Sequence, residues 1–145
     1  MRISIVAAGF VVLSACSAGD SDSGTVVDPV QDCIDTYSVA SGYGHGGADL
    51  GALEAECNAD GGTGCTAADF FTVDAATCIA EQVHAFDRGI SDYKANLVYH
   101  SGDKTVRWNI DNTQFDQPGH SGGDYIALHA TDGSLLDVGN WEAIQ

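Results

Sequence analysis

The apolar residues of this chain change their repeat part-way along, and that change sets the fold class. Ala76, Ile79, Ala80, Val83 and Phe86 recur at three- and four-residue steps, which makes one stripe on a helix. Asp74 stands before the stripe as the expected N-cap, and Asp87-Arg88-Gly89 is the expected stop. Beyond it the step becomes two. Leu97 and Tyr99 share a face of Ala95–His100, and Val106, Trp108 and Ile110 share a face of Thr105–Ile110. The turn Ser101–Lys104 joins them as a β-hairpin. A polar, Gly-bearing loop is expected over Asp111–Asp124, a third strand over Tyr125–Ala130 and a fourth over Leu135–Val138 after the turn Thr131–Ser134. One helix on a three- to four-stranded antiparallel meander is an α+β layer. The helix stripe should cover the apolar sheet face made by Trp108, Ile110, Ile126 and Leu128.

The N-terminus carries a different pattern. Met1-Arg2 precedes an apolar run from Ile3 to Leu13. One basic residue and about a dozen apolar positions read as a secretory signal peptide, too short for a spanning helix. Export gives the remaining cysteines a meaning. Cys33, Cys57, Cys65 and Cys78 are an even set, all in the first part of the exported chain, and read as two disulfides. Cys57 and Cys65 bracket the Gly-rich Asn58–Gly64, so the preferred pairing is Cys57–Cys65 with Cys33–Cys78. A zinc site is the rival, but the spacings are not those of a Cys-x-x-Cys site. Between Pro29 and Phe71 a loop-rich, disulfide-pinned segment is expected, with a short helix within Ala48–Cys57.

Leu13-Ser14-Ala15-Cys16 resembles the lipobox of bacterial lipoproteins. The resemblance implies cleavage after Ala15 and lipid attachment at Cys16, with several acyl chains giving durable anchoring. Residues 16–30 then form a small, polar, flexible tether. Ser17, a non-Asp residue after the cysteine, implies the outer membrane in a Gram-negative envelope. The later part, with "KANLVYHSGDKTVRWNID" and "DYIALHATDGSLLDVGNWE", resembles the PepSY-like domains of secreted bacterial proteins. Trp108-Asn109-Ile110 and Ala130-Thr131-Asp132-Gly133 carry the likeness, with His129 where the family often has Asp. It covers about residues 72–141 and implies a non-catalytic module that binds or inhibits peptidases. The organisation read from these features is a signal peptide over 1–15, a tether over 16–30, a Cys/Gly-rich segment over 31–71 and a PepSY-like domain over 72–145.

Charge narrows the partners. Asp and Glu number 21 against 5 Lys and Arg, a formal net charge of −16. Such a surface argues against nucleic acid, whose phosphates require basic residues, and against docking on anionic lipid without an anchor. No cofactor is expected, and the oligomeric state is not readable. Gly119-His120-Ser121-Gly122-Gly123 is similar to the nucleophile segment of chymotrypsin-like serine proteases. A small hydrolase using Ser121 is therefore the alternative to a binding module, and a purely structural surface lipoprotein is a third reading. His45, His84, His100, His120 and His129 show no metal-ligand spacing, and neither Asn58-Ala59-Asp60-Gly61 nor Asp111-Asn112 continues into a calcium loop. A peptide or peptidase is expected to meet a sheet edge or the 111–124 loop.

Overall fold

The computed structural model describes residues 25–38 and 44–145, with backbone alone at residues 91 and 92. The expected signal peptide, Cys16, Ser17 and most of the expected tether lie outside the described residues.

Three helices come first. α1 spans Pro29–Thr36, and Asp28 caps it by accepting from the Val30 N–H at 3.0 Å, with proline in the first turn where no partner is needed. α2 spans Leu50–Ala59, capped by Asp49. A 3₁₀ turn at Ala67–Asp69 leads into α3, Val73–Gln82. Its N-cap is Thr72, not Asp74. The Thr72 hydroxyl accepts from the Ala75 N–H at 3.2 Å, which places Asp74 inside the first turn. The helix also stops earlier than the stripe suggests. Ala85 takes a left-handed conformation and the Phe86 N–H returns to the Ala80 carbonyl at 2.9 Å, so Phe86 is buried by a turn rather than by a further helical turn.

Five strands follow: β1 (Ser91–His100), β2 (Thr105–Thr113), β3 (Phe115–Gln117), β4 (His120–His129) and β5 (Leu135–Ile144). All pairings are antiparallel. β4 is central, with β2 and then β3 along one side and β5 along the other. β2 and β3 are in effect one strand broken at Gln114, so the sheet is a four-ribbon meander. The 111–124 segment is therefore not a loop. It holds the end of β2, all of β3 and the first half of β4. Its glycines serve close packing: a Cβ on Gly122 would meet the Phe115 ring at 2.7 Å, and one on Gly123 would collide with the Asn112 carbonyl.

Asn112 holds this break together. It is fully buried, accepts from the Asp124 N–H at 2.6 Å and donates to the Asp87 carbonyl at 2.5 Å. Its own carbonyl accepts from the Trp141 indole at 3.0 Å. One polar side chain thus ties β2, β4 and the approach to β1, which satisfies groups that would otherwise be buried unpaired.

The core lies between the helices and one sheet face. Ala75, Ala76, Ile79 and Ala80 of α3 pack with Val106, Trp108, Ile110, Ile126 and Leu128. The three small alanines let the helix lie close over Trp108, whose indole N–H donates to the Phe71 carbonyl at 3.2 Å. Each of these large buried side chains contributes about 1.5–3 kcal/mol by leaving water. The disulfides are Cys33–Cys78, joining α1 to α3, and Cys57–Cys65, closing the turn after α2. With these four sulfurs paired, no free thiol remains among the described residues.

Candidate functional site

The sheet has two edge strands, β1 with Gly46 lying near its Ala95 carbonyl, and β5; two surfaces concern function. The first is the β5 edge. β5 pairs only with β4, so one side of a ten-residue strand is free. α3 ends at Gln82 and does not reach over β5, which leaves Leu135, Val138 and Ile144 exposed, Val138 to 60% and Ile144 to 82%. Beside the edge lies a cavity of about 510 Å³ lined by Ala85, Phe86, Ile126, Leu135 and Val138 among others. The Val138 N–H is bonded to the Asp137 side chain at 2.9 Å rather than to β4.

The second surface is the sheet face away from the helices. The register sets its side chains in rows. Lys94, Asp111, Tyr125 and Gly139 form one row, and Asn96, Asn109, Ala127 and Asp137 the next. Val98, Arg107 and His129 form a third. A trough of about 600 Å³ runs over these rows, walled at one end by Gly46, Gly47 and Ala48. A second trough of about 560 Å³ shares Asp111 and carries Thr113, Asp116, Ser121 and Trp141. Burial raises the Asp111 carboxyl above its usual range, and Lys94 opposes that shift. Tyr125 donates to Asp137 at 3.0 Å, and this hydrogen bond raises the phenol.

At the far end of β2, Asp103 gathers its neighbours. It accepts from Thr105 at 2.8 Å and pairs with His100 at 3.0 Å and Arg107 at 3.6 Å. Burial pushes its carboxyl up, but the hydrogen bonds from Thr105 and His100 and the charge of Arg107 outweigh it, and the net shift is downward.

Ser121 lies in β4 rather than in a loop, opposite Asp116 of β3 and Ala143 of β5. His120, one residue away on the same strand, projects to the other face. His129 is eight residues along, roughly 27 Å at a strand's rise. The histidines are dispersed and locally engaged. His45 meets the Phe70 carbonyl at 2.7 Å, His84 the Gly133 carbonyl at 3.3 Å, and His129 the Thr131 hydroxyl at 2.9 Å. His120 sits 3.7 Å from Glu142 with its ring edge-on to Phe115. Among the described residues no three His, Cys, Asp or Glu side chains converge as metal ligands. The two oxygen-rich stretches are used within the fold: Asp60 accepts from the Tyr99 hydroxyl, and Asn112 is committed as above.

The β5 edge and the open rows were both invisible to motif reading. Their residues are ordinary polar or apolar types, and only the pairing register brings them together. No protein-family model matches this chain, and no curated protein or solved structure matches it either.

Proposed function

We propose that this chain is a lipid-anchored protein of the bacterial cell envelope whose α+β domain is a non-catalytic binding module, with an extended peptide or a peptidase as its partner. The observation that carries the reading is the β5 edge. An incoming strand gains main-chain hydrogen bonds along a free edge, and side-chain pockets beside that edge give specificity. Here the cavity at Ala85, Phe86 and Leu135, whose lining also includes Asp87 and Asp124, lies beside that edge, where such a pocket is needed. The succession α3, β1, β2 with Trp108-Asn109, and β4 running into Ala130-Thr131-Asp132-Gly133 supports the PepSY-like resemblance. The lipobox supports anchoring through Cys16, and two disulfides agree with an exported domain. A peptidase captured at β5 through an extended segment would be held away from its substrate, which is the inhibitory form of the same module.

The test uses capture from envelope extract, followed by binding of the captured partner's peptides. Val138→Pro removes an N–H that faces away from β4, so the β4–β5 ladder survives and the edge is blunted. Val138→Pro and Val138→Lys should each abolish capture while thermal melting stays near wild type. Capture unchanged in both variants would refute the edge assignment. Esterase or peptidase activity that disappears on Ser121→Ala would refute the non-catalytic reading.

A further inference from the structure

We propose that the open face of the sheet is a binding site for a neutral oligosaccharide. This goes beyond the peptide reading, which uses the β5 edge and the helix side of the sheet.

The hydrogen-bonding groups on this face suit paired hydroxyls. Asn96 and Asn109 are directly opposite each other across β1 and β2. Neither side chain has a hydrogen-bond partner within the described residues. Each amide offers two donor hydrogens and an acceptor oxygen in one plane. The Asp111 carboxylate adds a planar acceptor on one side, and on the other Asp137 keeps only the lone pairs that the Tyr125 hydroxyl and the Val138 N–H leave. Adjacent hydroxyls of a sugar ring both donate and accept, so flat amides and carboxylates meet them in pairs.

Tyr125 supplies the other half of sugar recognition. A Cβ built on Gly139 would stand 2.8 Å from Tyr125 Cε1 and 3.0 Å from Cζ. The glycine therefore lets the ring lie down across β5, and the Tyr125–Asp137 hydrogen bond pins it there. The ring is half-buried against the strand, and its exposed part is the platform for the C–H face of a sugar. Ala127 is buried as the floor between Asn109 and Asp137. Successive rows stand about 7 Å apart along the strands, which leaves room for one six-membered ring between them.

Charge and geometry decide against other occupants. Lys94 and Arg107 stand among Asp111, Asp116 and Asp137 on this face, and Arg107 is also paired with Asp103, within a chain of 21 acidic and 5 basic residues. The site therefore holds no excess of positive charge for an anionic glycan, and the molecule as a whole repels polyanions. An apolar ligand would strip water from these charged groups without replacing it. A peptide strand needs an edge, and a sheet face offers none.

The experiment is a printed array of neutral and anionic oligosaccharides probed with the full-length chain in detergent, followed by calorimetry with the best neutral hit. Binding to at least one neutral glycan is expected, and Asn109→Ala and Tyr125→Ala should each weaken it at least tenfold. Tyr125→Ala also uncovers Gly139, so Asn96→Ala is included as a variant that touches no packing. Its melting temperature should match wild type while its affinity falls. No neutral hit, stronger binding of anionic glycans, or affinity indifferent to Asn96 and Asn109 would each overturn the proposal. Peptide capture at β5 measured on the same preparation separates the two ideas: if it persists while no glycan binds, the carbohydrate site falls and the edge module stands.

Discussion

Replacing Asn112 should expose how a polar group holds the centre of this sheet. In Asn112→Ala the Asp124 N–H loses its acceptor and the Asp87 carbonyl loses its donor. A buried group left without its partner costs about 1–3 kcal/mol. Asp87 is at an exposed residue and its carbonyl can regain water, so the two losses together come to about 2–4 kcal/mol. At this domain size about 4 °C of melting temperature goes with each kcal/mol, so a fall of about 8–16 °C is expected. Asn112→Asp separates hydrogen bonding from volume. When protonated, the aspartic acid can still donate to Asp87 and accept from Asp124. When ionised it becomes a buried charge facing a carbonyl oxygen, so its folded pKa must lie above the ordinary value near 3.9. The folded state then binds the proton more tightly than the unfolded state, and stability falls as pH rises from about 4 towards the folded pKa. The loss is about 1.4 kcal/mol for each unit between the two values. Thermal melts of wild type, Asn112→Ala and Asn112→Asp at pH 4 and pH 8 check this. Asn112→Asp should approach wild type at pH 4 and be no more stable than Asn112→Ala at pH 8. A gap from wild type that is the same at both pH values would refute the account.

Three further outcomes are expected, two from the structure and one from the sequence. The Cys33–Cys78 bridge spans 45 residues and Cys57–Cys65 spans 8, so loop-closure entropy assigns them about 4 and about 2.5 kcal/mol. Double alanine replacement of the first pair should lower the unfolding midpoint more than that of the second, and peptide mapping without reduction should recover these two links. Asp103 has a depressed folded pKa, so its contribution is present above the unfolded value near 3.8 and is lost as pH falls through the folded one. The stability difference between wild type and Asp103→Asn should therefore shrink on acidification below about pH 4, as read by denaturant melts. Cys16→Ser should abolish lipid attachment, seen as loss of labelled fatty acid incorporation and release from the membrane fraction; a variant as membrane-bound as wild type would remove the anchor assignment.

The parts of the fold written in clear repeats were legible. α3 and the β1–β2 hairpin follow from apolar steps of three to four and of two, because each presents a single face to one core. The pairing of the cysteines followed from the Gly-rich turn between Cys57 and Cys65. α1 was harder, although Asp28-Pro29 is a proper helix start, because its eight residues bury only Cys33 fully. The segment 111–124 misled for a physical reason. Its glycines and Asn112 look like loop residues, yet the glycines admit the Phe115 ring and the Asn112 backbone, and Asn112 finds both its partners. β5 was read too short because Gly139 and Asn140 look like turn residues, although burial alternates along the strand from Val138 to Ile144. The open face was illegible for the opposite reason. Polar residues at every second position are what any solvated strand shows, and only the register seats Asn96 beside Asn109 and Tyr125 over Gly139.

A free apolar edge is a hazard as well as an opportunity, since two copies can pair through it. β5 carries Asp137 and Glu142 along that edge, within a molecule whose net charge is −16. Two β5 strands brought together would set these carboxylates near one another and join two strongly acidic bodies, which is unfavourable at moderate ionic strength. A neutral or basic extended segment meets no such repulsion and finds the outward main-chain groups of β5, displacing Asp137 from the Val138 N–H. The acidity therefore bears on which chains can meet the edge. On the proposed reading it leaves the edge open to a different chain while discouraging its own, and the helices, packed through the shared core on one face with α1 linked to α3 by Cys33–Cys78, leave β5 and the polar rows uncovered.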